Sequence, residues 1–130
     1  MRLIHLGDLH LGKFVLEVSM LEEQRAFLRY LADYAAANAV DAVLLAGDIY
    51  DRSVPPAEAV QVLDEFWCAL HRAGIPVLAV PGNHDSPERL AFGSRLFASE
   101  GIHMAGPYDG TLPVVELRDA YGPVRVYLLP

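Results

Sequence analysis

The chain has 130 residues, of which 53% are hydrophobic and 21% charged, and its formal net charge at pH 7 is −7. This composition is typical of one globular domain or a part of one, and it excludes wholesale disorder. No run approaches the ~18 consecutive apolar residues of a membrane-spanning helix, and no export signal is expected. Because nucleic-acid-binding surfaces are usually basic, a nucleic-acid partner would require positive charge from metal ions or another subunit.

The predicted elements begin with a short strand, "RLIHLG", and a loop, "HLGKFVLEVS". A helix follows from about Met20 to Asn38, and Ser19 with Glu22 three residues later predicts a capping box at its start. Apolar residues at helical spacing predict one buried stripe on this helix, made of Phe27, Leu28, Leu31, Tyr34 and Ala35.

The run "DAVLLAGD" predicts a second strand, buried on both faces. The prolines of "DRSVPPAE" suit the start of a second helix, which we expect to end at Gly74. Its predicted apolar stripe is Val60, Leu63, Phe66, Trp67 and Leu70. The single cysteine, Cys68, lies in this helix, and we expect a buried structural thiol and a cytoplasmic, reducing location.

"IPVLAV" predicts a third buried strand, and Ser86 before Pro87 predicts the start of a third helix that extends to about Ser99. Three short strands are predicted in "GIHMAG", "LPVVELR" and "VRVYLLP". The order βαβαβα followed by strands predicts an α/β fold with a parallel sheet and helices on its faces. Because the chain stops directly after an apolar strand, we expect an incomplete sheet.

Polar side chains follow each of the first three predicted strands, at the point where the strand ends. They are Asp8 and His10 after the first strand, Asp48, Asp51 and Arg52 after the second, and Asn83, His84 and Asp85 after the third. The carboxyl ends of parallel strands meet at one edge of a sheet, so we expect these three clusters to converge.

Aspartate, histidine and asparagine side chains supply the oxygen and nitrogen donors that suit Mn²⁺, Fe²⁺ or Zn²⁺. Asp8 and His10 can reach one ion from the same side of an extended segment, and Asp48 can bridge two ions with its two oxygens. Two ions ~3.5–4 Å apart would clamp a phosphate and lower the pKa of a shared water.

Each cluster alone also has a structural interpretation. An Asp-x-His pair is common, a Gly-Asp pair often ends a strand, and Gly-Asn-His-Asp could be a surface turn. The occurrence of all three in order, each after an apolar strand, favours a metal site over three unrelated turns.

Asp8-x-His10, Gly47-Asp48 and the "GNHD" that begins at Gly82 resemble the first three signature motifs of calcineurin-like metallophosphoesterases. Longer strings, above all "GNHDSPERLAFGSRL", resemble the bacterial nuclease branch of that family, the SbcD-type subunits. The resemblance covers essentially the whole chain. It implies a Mn²⁺-dependent DNA phosphodiesterase, a 3′→5′ double-strand exonuclease and single-strand endonuclease that acts in DNA repair and recombination.

The resemblance also implies roles for the matching positions. Two Mn²⁺ ions would be held by Asp8, His10, Asp48 and Asn83, with Asp48 between them. His84 would face the scissile phosphate as the catalytic residue, and the supporting residues would be Asp85, Asp51 and Arg52. The implied partners are DNA, an SbcC-type ATPase subunit and a second copy of the chain, bound through the second and third helices, with Phe66, Trp67 and Leu96 as candidate contacts.

The family's downstream histidine motifs are absent, and none of His5, His71 and His103 has the sequence context of a ligand. Residues 1–130 therefore resemble the N-terminal part of a metallophosphoesterase domain, which we expect to bind Mn²⁺ weakly and to show little or no nuclease activity. Two alternatives stay open at this point: another phosphatase or phosphodiesterase on the same scaffold, and a catalytically silent binding or dimerisation module.

Overall fold

The computed structural model describes residues 1–130. The strands, in chain order, are β1 (Leu3–Leu6), β2 (Phe14–Val15), β3 (Val18–Ser19), β4 (Ala42–Ala46), β5 (Val77–Val80), β6 (Ile102–Met104), β7 (Val114–Asp119) and β8 (Gly122–Tyr127). The helices are α1 (Leu21–Ala37), α2 (Ala57–Arg72), α3 (Pro87–Leu90) and α4 (Ser94–Phe97), the last followed by a 3₁₀ helix over Ala98–Glu100.

The central sheet contains four parallel strands in the order β1, β4, β5, β6. The connections between these neighbours contain the helices, as parallel pairing requires. Strands β7 and β8 form a separate antiparallel hairpin. The predicted α/β class with a central parallel sheet is confirmed.

The two faces of the sheet are covered differently, because alternate residues of a strand point to opposite sides. On one face Val43, Leu45 and Val77 belong to the main core, together with the buried stripes of α1 and α2. Complete burial of one such aliphatic side chain contributes about 1.5–3 kcal/mol, so this layer supplies most of the hydrophobic stabilisation.

The opposite face carries a smaller cluster centred on Ala42, Leu78 and Leu128. Its cover comes from the β7–β8 hairpin, whose Val115, Leu117 and Val126 pack against the cluster. The long helices α1 and α2 therefore cover one face of the sheet, and the hairpin covers the other. Leu128, directly after β8, is buried in this contact and is only 4% exposed.

The third predicted helix starts as expected but does not run unbroken to Ser99. The Ser86 hydroxyl accepts a hydrogen bond from the Arg89 amide (3.4 Å), and Pro87 occupies the first turn. Gly93 then adopts a left-handed φ of 74°, and the helix is interrupted there. A left-handed residue cannot continue a right-handed helix, so α3 and α4 are two short pieces.

Two local predictions before α1 are wrong. The segment predicted as a plain loop contains the β2–β3 hairpin, which reverses at Leu16 and Glu17, both with positive φ. The capping box does not form, since Met20 occupies the cap position without a side-chain hydrogen bond. The Ser19 hydroxyl instead accepts a hydrogen bond from the Leu21 amide at 3.4 Å.

Helix burial differs from the predicted stripes at their edges. The line of buried residues on α1 is Leu28, Leu31, Ala32 and Ala35. Phe27 and Tyr34 lie beside that line and are 47% and 44% exposed, while Val60 on α2 is also 44% exposed. None of the helices is both long and apolar enough to cross a membrane.

Cys68 is exposed, and the expectation of a buried thiol is wrong. It lies two positions after the buried Phe66, and two residues turn an α-helix by about 200°, which places the cysteine on the solvent side. Trp67, between them, is partly buried and packs against the main core.

Candidate metal centre

The loops after β1, β4 and β5 meet at one edge of the sheet. Backbone hydrogen bonds continue beyond the strand ends: the Asp8 amide donates to the Gly47 carbonyl (3.2 Å), the His10 amide to Asp48 (2.9 Å), and the Gly47 amide to Val80 (3.1 Å). These bonds join the first loop to the second and the second loop to the end of β5, so that the three loops form one platform. The convergence expected from the three sequence clusters is present.

Side chains from all three loops approach one another on this platform. The Nε2 atom of His10 lies 3.7 Å from an Asp48 carboxylate oxygen and 3.9 Å from an Asp8 carboxylate oxygen. The ring of His84 packs edge-on against His10, with 4.8 Å between the ring centroids. One ligand atom from each of His10, Asp48 and His84 falls within 4.8 Å of the others. Asn83 is exposed in the same loop.

The backbone at this site is held in an uncommon conformation. Asp8, His10 and Asp48 all have left-handed φ values, of 55°, 44° and 48°. Residues with a side chain rarely adopt this region, and each instance costs on the order of 1 kcal/mol or more. Three such residues among the predicted ligands concentrate strain where the side chains converge, which is typical of functional sites.

Gly82 allows the third loop to lie against Asp48. A Cβ atom at position 82 would be 2.2 Å from the Asp48 carboxylate oxygen Oδ1 and 2.3 Å from the Asp48 amide nitrogen. Both separations are far inside van der Waals contact, so no residue with a side chain fits. The glycine of the third motif is therefore required by packing.

Asp85 is buried, at 6% exposure, and joins the second and third loops. Its carboxylate accepts hydrogen bonds from the amides of Gly82 (2.8 Å), Ile49 (3.1 Å) and Tyr50 (2.8 Å). A buried carboxylate that accepts three backbone N–H groups is well compensated for its desolvation. Burial, with the nearby Asp85 charge, raises the pKa of Tyr50 to about 12.

The orientation of His84 is set by two hydrogen bonds. Its amide donates to the Asp48 carboxylate, and its ring Nδ1–H donates to the Asp51 carbonyl, both at 2.9 Å. The Asp51 carbonyl raises the pKa of His84, and the charges of Asp48 and Asp51 add to this effect. The Nε2 edge of the exposed ring is left for a ligand.

The remaining supporting residues lie next to the platform. A carboxylate oxygen of Asp51 is 3.5 Å from His10 Nδ1, and the exposed Arg52 guanidinium lies 3.9 Å from the same carboxylate. Three carboxylates (Asp8, Asp48, Asp51) thus surround one imidazole whose buried Nδ1 has no hydrogen-bond partner. This donor set, rich in negative charge, fits a divalent first-row metal ion.

The other three histidines are not among the converging ligand atoms. His5 is exposed on the edge strand β1, where a structural role had been expected. His71 contacts the Glu100 carbonyl (3.1 Å) and carboxylate, and His103 lies in β6 with its pKa lowered by partial burial.

Sequence reasoning missed Gln24, a residue of α1. Its side-chain NH₂ donates to the carbonyls of Leu9 (2.8 Å) and His10 (2.9 Å), and its carbonyl oxygen accepts from the Gly12 amide (3.1 Å). The one available signal was a polar residue four positions before the buried Leu28, on the same side of the helix. That signal does not identify the loop that Gln24 contacts.

Sequence similarity to known proteins assigns the chain to a protein family. The profile of the calcineurin-like phosphoesterases matches residues 1–129. The chain belongs to this family. The metal-type donors at the carboxyl ends of its parallel strands agree with that assignment.

Three curated relatives are named as the SbcD component of the nuclease SbcCD. The protein from Bacillus subtilis is 40% identical over 115 residues, which are 88% of this chain and 29% of that protein. The Staphylococcus epidermidis protein is 32% identical over 131 residues, which are 100% of this chain and 34% of that protein. The Staphylococcus saprophyticus protein is 38% identical over 105 residues, which are 80% of this chain and 27% of that protein. The chain spans about a third of the length of these relatives.

Proposed function

We propose that residues 1–130 are the N-terminal part of a metal-dependent DNA phosphodiesterase of the SbcD type. The observation that carries this proposal is the meeting of His10, Asp48 and His84 at the ends of three parallel strands. Family membership supports phosphoester chemistry, and the relatives' name supports nucleic acid as the substrate. The proposed reactions are 3′→5′ exonucleolytic cleavage of double-stranded ends and endonucleolytic cleavage of single strands, during DNA repair and recombination.

Four residues are proposed as metal ligands: Asp8, His10, Asp48 and Asn83. When bound, two Mn²⁺ ions would polarise the phosphate and supply a nucleophilic water. The carboxylates of Asp8 and Asp48 lie within 3.9 Å of His10 Nε2, and the buried His10 Nδ1 makes no hydrogen bond although the Asp51 carboxylate is 3.5 Å away; both observations support a site suited to divalent cations.

His84 is proposed as the catalytic residue that faces the scissile phosphate. The hydrogen bond from its Nδ1–H to Asp51 directs the opposite edge of the ring away from the protein backbone. The raised pKa of His84 favours the protonated ring, which is the form that stabilises a developing negative charge and protonates a leaving oxygen. Asp85 supports this arrangement by fixing the loop on which His84 lies.

This chain supplies only part of the proposed ligand set. Asp8, His10 and Asp48 would serve one ion, and Asp48 and Asn83 the other, which leaves both ions short of the histidines that downstream motifs provide in the family. We propose that the 130-residue chain binds Mn²⁺ weakly and has little or no nuclease activity. Robust Mn²⁺-dependent DNA cleavage by the purified chain would contradict this part of the proposal.

The proposed partners are DNA, an SbcC-type ATPase subunit and a second copy of the chain. Exposed apolar residues around α2, α3 and α4 support a protein contact there, since Val60, Phe92 and Leu96 are 44%, 83% and 75% exposed. Phe66, a candidate contact in the sequence, is 3% exposed and belongs to the core, so it is not available for this interface.

The test has two arms. With the 130-residue chain, Mn²⁺ binding is measured for the wild type, for Asp48→Asn, and for Asp33→Asn on the exposed side of α1 as the charge-matched control. We expect weak binding that Asp48→Asn abolishes and Asp33→Asn retains. With the full-length gene product, hydrolysis of bis-p-nitrophenyl phosphate is compared with that of the monoester; a preference for the monoester would favour a phosphatase instead.

A further inference from the structure

The side chain of Gln24 links helix α1 to the loop that carries His10. Both hydrogens of its NH₂ group are used, on the carbonyls of Leu9 and His10 at 2.8 and 2.9 Å. Its carbonyl oxygen accepts the Gly12 amide hydrogen at 3.1 Å. One partly buried amide thus pairs with three backbone groups within four consecutive residues of the loop.

These hydrogen bonds act on a strained backbone. His10 has a left-handed φ of 44°, which a residue with a side chain keeps only when its surroundings enforce it. The His10 amide is held by the Asp48 carbonyl (2.9 Å), and the His10 carbonyl is held by Gln24 and by the Lys13 amide (3.0 Å). Gln24 is the one side chain among these restraints, and it comes from a helix outside the three motif loops.

We propose that Gln24 is a positioning residue of the metal centre, which holds the Leu9–Gly12 loop in the conformation that directs the His10 imidazole toward Asp48. It acts through His10 and contacts neither ion nor phosphate. This inference rests on the proposed metal site. Partners hydrogen-bonded to a ligating side chain typically contribute 10–100-fold to metal affinity, and for a partner that holds the ligand's backbone we expect an effect near the lower end of that range. Such an effect is measurable without any catalytic activity.

The decisive variant is Gln24→Met, which keeps the length and approximate volume of the side chain but removes all three hydrogen bonds. Two controls separate the local effect from general ones. Gln61→Met makes the same chemical change at an exposed position of α2. Leu31→Val removes a buried methylene from α1 and costs roughly 1 kcal/mol of folding stability, but leaves the Gln24 hydrogen bonds in place.

Two measurements are made on the 130-residue chain at a temperature where every variant is folded. Amide hydrogen exchange reports the Gly12 N–H, and paramagnetic broadening during a Mn²⁺ titration reports the affinity. For Gln24→Met we expect faster Gly12 exchange and Mn²⁺ affinity roughly tenfold weaker. For both controls we expect the Gly12 N–H to exchange no faster than the change in global stability accounts for. Their Mn²⁺ affinity should stay within about twofold of the wild-type affinity.

Gln24→Glu distinguishes positioning from simple electrostatics. An added carboxylate near the site would tighten Mn²⁺ binding if charge alone mattered. It would also face the Leu9 and His10 carbonyls without a proton to donate, so positioning predicts weaker binding. Wild-type affinity in Gln24→Met, or tighter binding in Gln24→Glu, would overturn the proposal. If the wild type bound no Mn²⁺, the proposed metal site would be rejected. Unchanged exchange of the Gly12 N–H in Gln24→Met would reject the positioning role of Gln24 whether or not Mn²⁺ binds.

Discussion

The main-chain amide of His84 donates a hydrogen bond to the carboxylate of Asp48 at 2.9 Å. This bond joins the loop after β5 to the residue expected to lie between two metal ions, across 36 positions of sequence. The geometry around Asp48 therefore depends on where the third loop lies, and residues that fix that loop should affect the whole site.

Replacement of Asp85 by asparagine should destabilise the fold by about 2–3 kcal/mol. The buried carboxylate accepts three backbone N–H groups, while an asparagine places an NH₂ group against at least one of them, and an unsatisfied buried donor costs about 1–3 kcal/mol. The measurement is urea denaturation monitored by circular dichroism. Asp33→Asn, at an exposed position of α1, should change stability by less than about 0.5 kcal/mol. Equal stability of the two variants would show that the three hydrogen bonds are not important.

Gly82→Ala should displace the third loop and cost roughly 3 kcal/mol, because the new Cβ would overlap the Asp48 carboxylate and amide. The control is Gly74→Ala. Gly74 has φ 70° with no atom within 4 Å of a Cβ there, so alanine adds only the left-handed backbone cost of about 1 kcal/mol. The free energy of unfolding is measured for both variants. If the His84 amide loses its protection from hydrogen exchange in Gly82→Ala and not in Gly74→Ala, the displacement lies in the third loop. A smaller cost at position 82 than at position 74 would contradict the packing argument.

The metal-free chain should show two histidines titrating on opposite sides of the ordinary pKa of about 6.5. The Asp51 carbonyl raises the pKa of His84, so this ring stays more than half protonated at pH 6.5. Partial burial lowers the pKa of His103, so that ring is more than half neutral at the same pH. Titration of the ring carbons by NMR checks the order, with His84→Gln and His103→Gln used for assignment. His84 losing its proton at lower pH than His103 would be inconsistent with these contacts.

Cys68 should react with Ellman's reagent in the native state at a rate within a few-fold of the rate for the unfolded chain. The cysteine is exposed, so reagent access needs no opening of the fold. A buried thiol, by contrast, would react only through rare unfolding and would be slower by orders of magnitude. Absorbance at 412 nm follows the reaction, and Cys68→Ala serves as the blank.

The sequence predicts the order of the parallel strands and the place of the polar clusters, because both follow from local patterns. Apolar runs closed by glycine mark the ends of β1, β4 and β5, and the polar residues follow directly. Parallel pairing then brings strand ends together whatever the details of the helices. For the same reason the family resemblance appears in short contiguous motifs.

Errors of prediction arose where the outcome depended on partners distant in sequence. Helical spacing indicates that a helix has a buried stripe, but the element packed against the helix decides where that stripe ends. Phe27 and Tyr34 were therefore predicted to be buried, and both are exposed. Cys68 was misplaced for the same reason. The break at Gly93 was also missed, since a single glycine inside a helical pattern is compatible with either a continuous or an interrupted helix.

Periodicity and spacing are properties of contiguous residues, and they are enough to predict the α/β class, the three motif loops and the residue types available for metal chemistry. The folded chain was needed to see that the β7–β8 hairpin covers the second face of the sheet and that Gln24 and Asp85 hold the loops. The Gln24 and Asp85 side chains satisfy backbone N–H and C=O groups up to 36 residues away, and the hairpin packs apolar side chains against residues far earlier in the chain. No local sequence pattern records which distant group such a side chain will meet.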